Sequence, residues 1–517
     1  MGFALCMDRE ENDKMKSKKA EKSYVLPVVA ISLMAVISAV SGLNVALPSI
    51  ALDTGATQTQ LTWIVNSYAV IFAGLLMLAG AIGDKYGRRT ILALGLAIFA
   101  IGAMLGFFAN EPNALIAVRV LMGIGAAAIM PSTLSVITTS FDEDERGKAV
   151  GVWVGVAGGG GVLGLFGSAI LLEFFNWNSF FLLNFTMASI GLIGTLRFIK
   201  DSKNEGGHSL DVTGGLISVL GVSSLVFGII EGPERGWSDY LTILTLIVGI
   251  LTLISFIFWE LHVKNPLLDP RLFRNRGFSG GALSITIQFF GQFGFLFVGM
   301  QYLQYVAGFS ALDAVLHLLP LPFVMLPMSR FAGKNAHRIP QKYMGSFGLA
   351  FFALGMFMFA QMDSDFSLIW FTSSLIIFAF GMALAAVPAT TAITNSLSAD
   401  KQGVASAVND TSREFGSAIG IAVLGAALNN QYRAGVKDVA STLPSDIADH
   451  VLNSVAFTQS TPPPALAANW DVLVTTALDS FTHGMSLALN IGGAFALIGA
   501  VLVFAVAPKK AIERSSD

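Results

Sequence analysis

Of 517 residues, 54% are hydrophobic and only 13% charged, with 40 Phe and a mean hydropathy of +0.68, a balance that excludes a water-soluble domain. A formal net charge of −3 with no basic tract suited to phosphate excludes nucleic acid as a partner, and one cysteine, Cys6, excludes an intrachain disulfide. The chain therefore reads as an all-α polytopic membrane protein.

In chain order, residues 1–24 are polar and Lys-rich without a small-residue cleavage site, which predicts a cytoplasmic tail rather than a signal peptide. Apolar stretches long enough to cross roughly 30 Å of hydrocarbon then follow at 25–47, 61–82, 90–108, 114–137, 149–172 and 180–198. Two more lie at 212–230 and 240–258, and six at 278–302, 314–332, 343–360, 368–392, 404–428 and 484–507, making fourteen. The segments Lys200–Leu210 and Trp259–Gly277 read as polar linkers, and Asn429–His483 as a long outer loop with Pro462, Pro463 and Pro464. Within it, Trp470–Phe481 is expected as an interfacial amphipathic helix or a solvated loop helix. Residues 508–517 form a second tail.

The distribution of Lys and Arg tests the count. With the N-terminus inside, 26 of the 31 fall in the tails and inner loops, three (Arg235, Arg433, Lys437) fall outside, and Arg119 and Arg413 lie within spans. A miscounted span would switch the side of every later loop and erase this asymmetry. Both termini are thus expected in the cytoplasm and the protein in the cell (inner or cytoplasmic) membrane.

The string GAIGDKYGRRT at Gly80–Thr90 separates the second and third spans. Asp84, Lys85, Arg88 and Arg89 cannot enter hydrocarbon cheaply, so they mark the membrane surface, while Gly80, Gly83 and Gly87 are expected to let the turn bend. Arg119 stands about six residues into the fourth span, where an isolated guanidinium costs roughly 2.5–3.5 kcal/mol. Either it pairs with backbone or with the first helix near Asn44, or it presents a charge or gates proton access in a cavity. In the thirteenth span Asp410 and Glu414 are i and i+4 on one face with Arg413 near both, at a depth of about 15 Å for Glu414. One Arg neutralises one carboxylate; the other is costly when ionised and takes up a proton readily. The expectation is that Asp410 pairs with Arg413 and Glu414 carries the proton, the alternative being a paired trio that only fixes helix packing.

Polar residues among the apolar runs suggest a cavity for amphiphilic compounds: Gln288 and Gln292, i and i+4 on one face of a Phe-rich ninth span that also carries Gln301 and Gln304, with Asn44, and Trp63, Asn66 and Tyr68 in or near the second span. Amides equally bind neighbouring helices. His317 reads as a packing residue before a proton relay, and Asp313 as solvated.

The Gly80–Arg89 string resembles the loop between the second and third helices of the major facilitator superfamily. NVALPSI at Asn44–Ile50, WIVNSY at Trp63–Tyr68, RVLMGIGAAAIMPS with Arg119, Gly123, Gly125 and Pro131, and NDTSREFGSAIG at Asn409–Gly420 resemble the 14-helix drug:proton antiporters of the EmrB/QacA type. The resemblance implies the major facilitator fold: two six-helix bundles, 25–199 and 278–507, around an inserted hairpin, 200–277, with the ligand between the bundles. It implies that Arg119, Asp410, Arg413 and Glu414 couple protons and that Gly80, Asp84, Lys85, Gly87, Arg88 and Arg89 gate the conformational change. The chain departs from the pattern at Ala39, where an Asp is usual, at Met122 for Gln, and at Leu165, Ser168 and Ala169 in the fifth-helix motif, which leaves transport firmer than strict antiport and puts cationic specificity in question. Arg330–Lys342 occupies the place of the Gly80–Arg89 turn in the second half but lacks its Asp, and the run Gly158–Gly161 is expected to supply the bend or the close helix approach that the missing Pro would have given.

No metal-ligand cluster or phosphate-cradling loop is present, so neither an enzyme nor a cofactor is expected, and energy must come from an ion gradient. The expected activity is export of small amphiphilic compounds by proton antiport from a monomer in contact with lipid. The alternatives are a metabolite or lipid-like exporter, a facilitator uncoupled from protons, and a non-transporting sensor or scaffold.

Overall fold

A computed structural model describes residues 24–141, 143–202, 211–336, 338–397, 402–462 and 469–509. The expected N-terminal tail with Cys6, most of the Lys200–Leu210 linker, Pro463, Pro464 and the tail beyond 509 lie outside the described residues. Among the described residues all regular structure is helical: α1 (Tyr24–Ser41), α2 (Leu43–Thr54), α3 (Gln58–Tyr86), α4 (Arg88–Phe108), α5 (Pro112–Ser140), α6 (Glu143–Phe174), α7 (Ser179–Phe198), α8 (Val212–Arg235), α9 (Tyr240–His262), α10 (Arg276–Gln301), α11 (Ala311–Leu316), α12 (Pro320–Asn335), α13 (Gln341–Phe359), α14 (Leu368–Asn395), α15 (Gln402–Ala440), α16 (Ser445–Asn453) and α17 (Trp470–Val506). Twelve helical spans among the described residues, α11–α12 counting as one, are long and apolar enough to cross a membrane. Two more long helices, α6 with 32 residues and α15 with 39, fall outside that count.

Local sequence sets the helix starts. Thr57 and Gln60 close a reciprocal capping box at α3 (3.0 and 3.1 Å), and Asp211, Asp239, Asn275 and Ser367 accept backbone N–H groups at the starts of α8, α9, α10 and α14. At Gly42 the first span turns. Asn44 Nδ2 donates to the carbonyls of Val40 and Ser41 (3.1 and 3.4 Å), serving acceptors next to the break.

The helices gather into two groups. α1, α3, α4, α5, α6 and α7 pack on one another, as do α10, α13, α14, α15 and α17 with α12 on α14, while α8 and α9 pair as a hairpin with α8 against both α3 and α15. Small residues permit the close approaches: a Cβ on Gly164 would stand 2.6 Å from Ser38 Cα, and one on Gly381 would stand 2.2 Å from the Phe352 amide nitrogen. From the Gly158–Gly161 run, Gly160 and Gly161 do face α1, next to Ile37, and Ser41 Oγ donates to the Gly161 carbonyl (3.0 Å).

Several boundaries differ from the expectations. The Gly80–Thr90 segment is not an open turn: α3 runs through Tyr86, α4 starts at Arg88, and Gly87 alone, at φ +118°, reverses the chain. Gly80 and Gly83 are helical and instead let α5 approach, at Pro131 and Ser132. Further along, α15 continues to Ala440, and α16 and a 3₁₀ turn at Val455–Gln459 occupy much of the region read as the loop Asn429–His483. Trp470–Phe481, expected as a helix of its own, is the first turns of α17, whose 37 residues rise about 55 Å, well past a hydrocarbon core. Trp470 sets its ring edge-on to Phe457 (5.9 Å), and Asp479 accepts from Ser364 (2.6 Å), so the extension has partners that keep it helical. The span expected at 314–332 is broken after Leu316 and resumes at Pro320.

Candidate functional site

The charged cluster of α15 lies where α10, α14 and α3 come together. Gly416 and Gly420 bring α15 onto α10 so closely that added Cβ atoms would stand 2.3 Å from the Thr286 carbonyl oxygen and 2.1 Å from that of Phe290. One turn towards the N-terminus this packing presents Asp410, Arg413 and Glu414. Arg413 Nη1 is 3.7 Å from Asp410 Oδ1, and its guanidinium lies over the Phe289 ring, 4.6 Å from the centroid. Asn409 Nδ2 donates to Asp410 Oδ1 (3.5 Å) and its Oδ1 accepts from Thr390 Oγ1 (3.3 Å). Glu414 has no such support: its Oε2 is buried without a hydrogen-bond partner among the described residues, as is Thr411 Oγ1. The Arg413 side chain keeps 23% exposure against 9% for Asp410, and Glu414 is only partly buried, so of the two acids Asp410 is the more enclosed, contrary to the depth expected from sequence, while Glu414 is the one without a partner.

Across from it stands Arg119, fully buried in α5. Nε donates to the Ile64 carbonyl of α3 (3.0 Å), and the guanidinium stacks on the Tyr68 ring at 4.2 Å, while Nη1 and Nη2 have no partner among the described residues. Of the two expected partners, backbone is observed; Asn44 bonds the last carbonyls of α1 instead. Tyr68 is itself held by a hydroxyl bond to the Val36 carbonyl (3.0 Å). Asn66 Nδ2, two residues before Tyr68, donates to the Ala418 carbonyl of α15 (2.9 Å), one turn beyond Glu414. The two charged regions therefore face each other across the seam between the helix groups.

The amides proposed from sequence separate. Gln288, 1% exposed, turns its Nε2 back to Ser284 (3.1 Å to both O and Oγ) and leaves Oε1 unpaired, whereas Gln292 is only partly buried, so they do not form one wet stripe. Asn44 and Asn66 are fully buried with unpaired Oδ1 atoms. His317 stacks on Phe309 (4.2 Å) with Nδ1 on the Asp313 carbonyl (2.7 Å), a packing role, and Asp313 lies at the surface end of α11 with its carboxylate on the Ser310 hydroxyl (2.9 Å).

At the Gly87 end, Asp84 pairs with Arg88 (2.9 Å), Arg89 reaches the Leu196 carbonyl (2.5 Å), and Lys85 lies over the Tyr86 ring (5.5 Å). Asp201, which sequence reasoning missed, accepts from Thr90 (3.1 Å) and fills the space a Gly87 side chain would need, its oxygens standing 2.7 Å from where a Cβ would sit. At the opposite end the groups are joined by two bonds also missed, Gln304 Nε2 to the Val45 carbonyl (3.1 Å) and Asn429 Nδ2 to Thr59 Oγ1 (3.0 Å), and Gln304 is braced in turn by Gln459 Nε2 on its backbone carbonyl (3.1 Å). No periodicity signals such pairs, which lie up to 370 residues apart.

A family model described as "Major Facilitator Superfamily" matches residues 29–421. The chain belongs to the major facilitator superfamily. This facilitator is 31% identical over 402 residues to the puromycin resistance protein pur8 of Streptomyces alboniger, covering 77% of this chain and 80% of that one. It is 29% identical over 426 residues to the multidrug resistance protein Stp of Mycobacterium tuberculosis, covering 81% and 78%. Among solved structures it resembles a bacterial homolog of the human lysosomal transporter Spinster, in an inward-facing and unoccupied conformation, with a TM-score of 0.64 at 16% identity over 95% of this chain and 99% of that one. The facilitator is thus a multi-pass membrane protein of a transporter family, not an enzyme, and its relatives are resistance and efflux proteins, in keeping with small-molecule substrates.

Proposed function

We propose that this facilitator exports amphiphilic or hydrophobic compounds by proton antiport with alternating access, as a monomer in the cell's cytoplasmic membrane. In this reading α6 and α15 also cross the bilayer, giving fourteen spans. The apolar stretch of α15 is simply bounded by Arg413 and Glu414 on one side and by Asn429 to Gln431 on the other. Residues 25–199 and 278–507 are the two bundles, 200–277 the inserted hairpin, and the termini and the Gly87 turn are cytoplasmic. The bonds joining Gln304 to Val45 and Asn429 to Thr59 then lie on the outer side and hold that end closed.

One observation carries the coupling: Glu414 is a partly buried acid whose Oε2 is enclosed without a hydrogen-bond partner among the described residues, beside a cation already engaged with Asp410. Such a group binds a proton when sealed and releases it when water reaches it. Protonated from the outside, it would discharge inward as a compound enters between the bundles, and the gradient supplies about 2.3 kcal/mol per charge for each 100 mV. Gln292, and Asn66 through its unpaired Oδ1, are the polar groups that would meet that compound near the seam, and the Asp84–Arg88 pair beside Asp201 would gate the cytoplasmic side. In vesicles under an imposed pH gradient, E414Q is expected to abolish gradient-driven transport and D410N to impair it; undiminished transport in both would end the proposal.

A proton-uncoupled facilitator is the second reading, favoured by Ala39 and Leu165 in place of the usual Asp and Pro. Efflux that persists with a protonophore present would select it.

A further inference from the structure

Two cavities sit at the end opposite Gly87. The larger, about 370 Å³, is built by both helix groups: Ser49, Leu52 and Glu173 on one side, Gln304, Phe309 and Ser310 on the other. The smaller, about 290 Å³, shares Ser49 with it and adds Asp53, whose carboxylate holds the Trp177 indole (2.8 Å). Neither is lined by a Lys or Arg.

The polar chemistry of the larger cavity is one-sided. Gln304 is 94% buried, and its Nε2 is engaged by the Val45 and Met300 carbonyls (3.1 and 3.4 Å), which leaves Oε1 without a partner among the described residues. The Gln459 amide nitrogen is engaged by the Gln304 backbone carbonyl, and the Ser310 hydroxyl proton goes to Asp313 (2.9 Å). Glu173 has no ion pair among the described residues. Amide and hydroxyl donors are therefore largely spent inside the wall while acceptors and a full negative charge face the space. The Ser49 hydroxyl remains as a neutral donor, but the exposed Glu173 carboxylate repels an anion, whereas a positively charged head with an apolar body finds Glu173, Gln304 Oε1 and the Leu52 and Phe309 side chains.

We propose that this cavity binds amphiphilic organic cations from the far side of the membrane. Because its wall is completed only while the two groups meet at that end, an occupant stabilises the closed arrangement and slows the opening that export requires. The braking effect rests on the export reading; the binding does not.

The test uses the full chain in lipid nanodiscs, with benzyltrimethylammonium as probe and isothermal titration as readout. Saturable binding is expected in the wild type, weakened about tenfold by E173Q on losing one nearby charge and abolished by E173K, with D410N unchanged. In vesicles, the same cation outside should slow ethidium efflux by the wild type but not by E173K, whose efflux without added cation stays normal. Equal affinity in the wild type and E173K, or no saturation at millimolar cation, overturns the proposal. Ethidium efflux without such binding leaves the export reading standing; binding without efflux removes export alone.

Discussion

Arg119 and Arg413 are both cations inside helices, yet they are settled by opposite means. Arg119 is completely buried, fixed by one backbone carbonyl and by the face of Tyr68, and no carboxylate among the described residues is paired with it. Arg413 keeps partial exposure, holds Asp410 at a loose 3.7 Å and leaves a second acid, Glu414, unmatched. The first arrangement contains nothing that can trade a proton near neutral pH; the second contains one acid more than its cation can balance. With Ala39 where an acid is usual in the first helix, the proposed proton exchange would rest on the α15 side, with Arg119 as a fixed positive charge facing it.

Breaking the platform that carries the α15 cluster should have the largest effect. A Gly420→Val side chain has to displace the Phe290 backbone, so we expect a loss of about 3 kcal/mol or more and little folded protein on size-exclusion chromatography. The conservative Ser417→Ala, which removes only a hydroxyl bonded within its own helix, should fold normally.

The contrast sharpens at Arg119. Arg119→Leu removes a charge with two unpaired nitrogens, so thermal stability should hold or rise, while transport falls by roughly tenfold, about 1.4 kcal/mol. A fall in stability equal to the fall in transport would make Arg119 a packing residue.

A smaller effect is expected at the end where the groups are joined. Asn429→Ala leaves Thr59 without its donor and should destabilise the closed arrangement by about 1 kcal/mol, read as faster thiol labelling of a cysteine placed at Ser49. Smaller still, Tyr68→Phe keeps the ring beneath Arg119 and loses only the bond to Val36, costing at most about 1 kcal/mol of stability with transport retained.

Such effects divide along the line between what the sequence made legible and what it did not. Apolar length placed most of the helical spans, and the rarity of charge in such runs singled out Arg119, Asp410, Arg413 and Glu414, because hydrocarbon penalises them whatever surrounds them. Partners were another matter. The Ile64 carbonyl, the Asp201 side chain against Gly87 and the Gln304 bond to Val45 depend on which helices meet, and a backbone acceptor carries no residue signature. Likewise, the polar start of α17 read as a separate element because apolar length marks the hydrocarbon boundary, whereas a helix with packing partners continues beyond it. The i, i+4 spacing of Gln288 and Gln292 gave a shared face but not the Ser284 side chain that captures one of them.

The most direct test is proton release on binding. Purified protein in lightly buffered detergent with a pH indicator is mixed with ethidium, whose own fluorescence reports occupancy. The wild type should release about one proton per bound ethidium and E414Q none, with occupancy similar in both. Equal release from E414Q would contradict the assignment of the exchanged proton to Glu414.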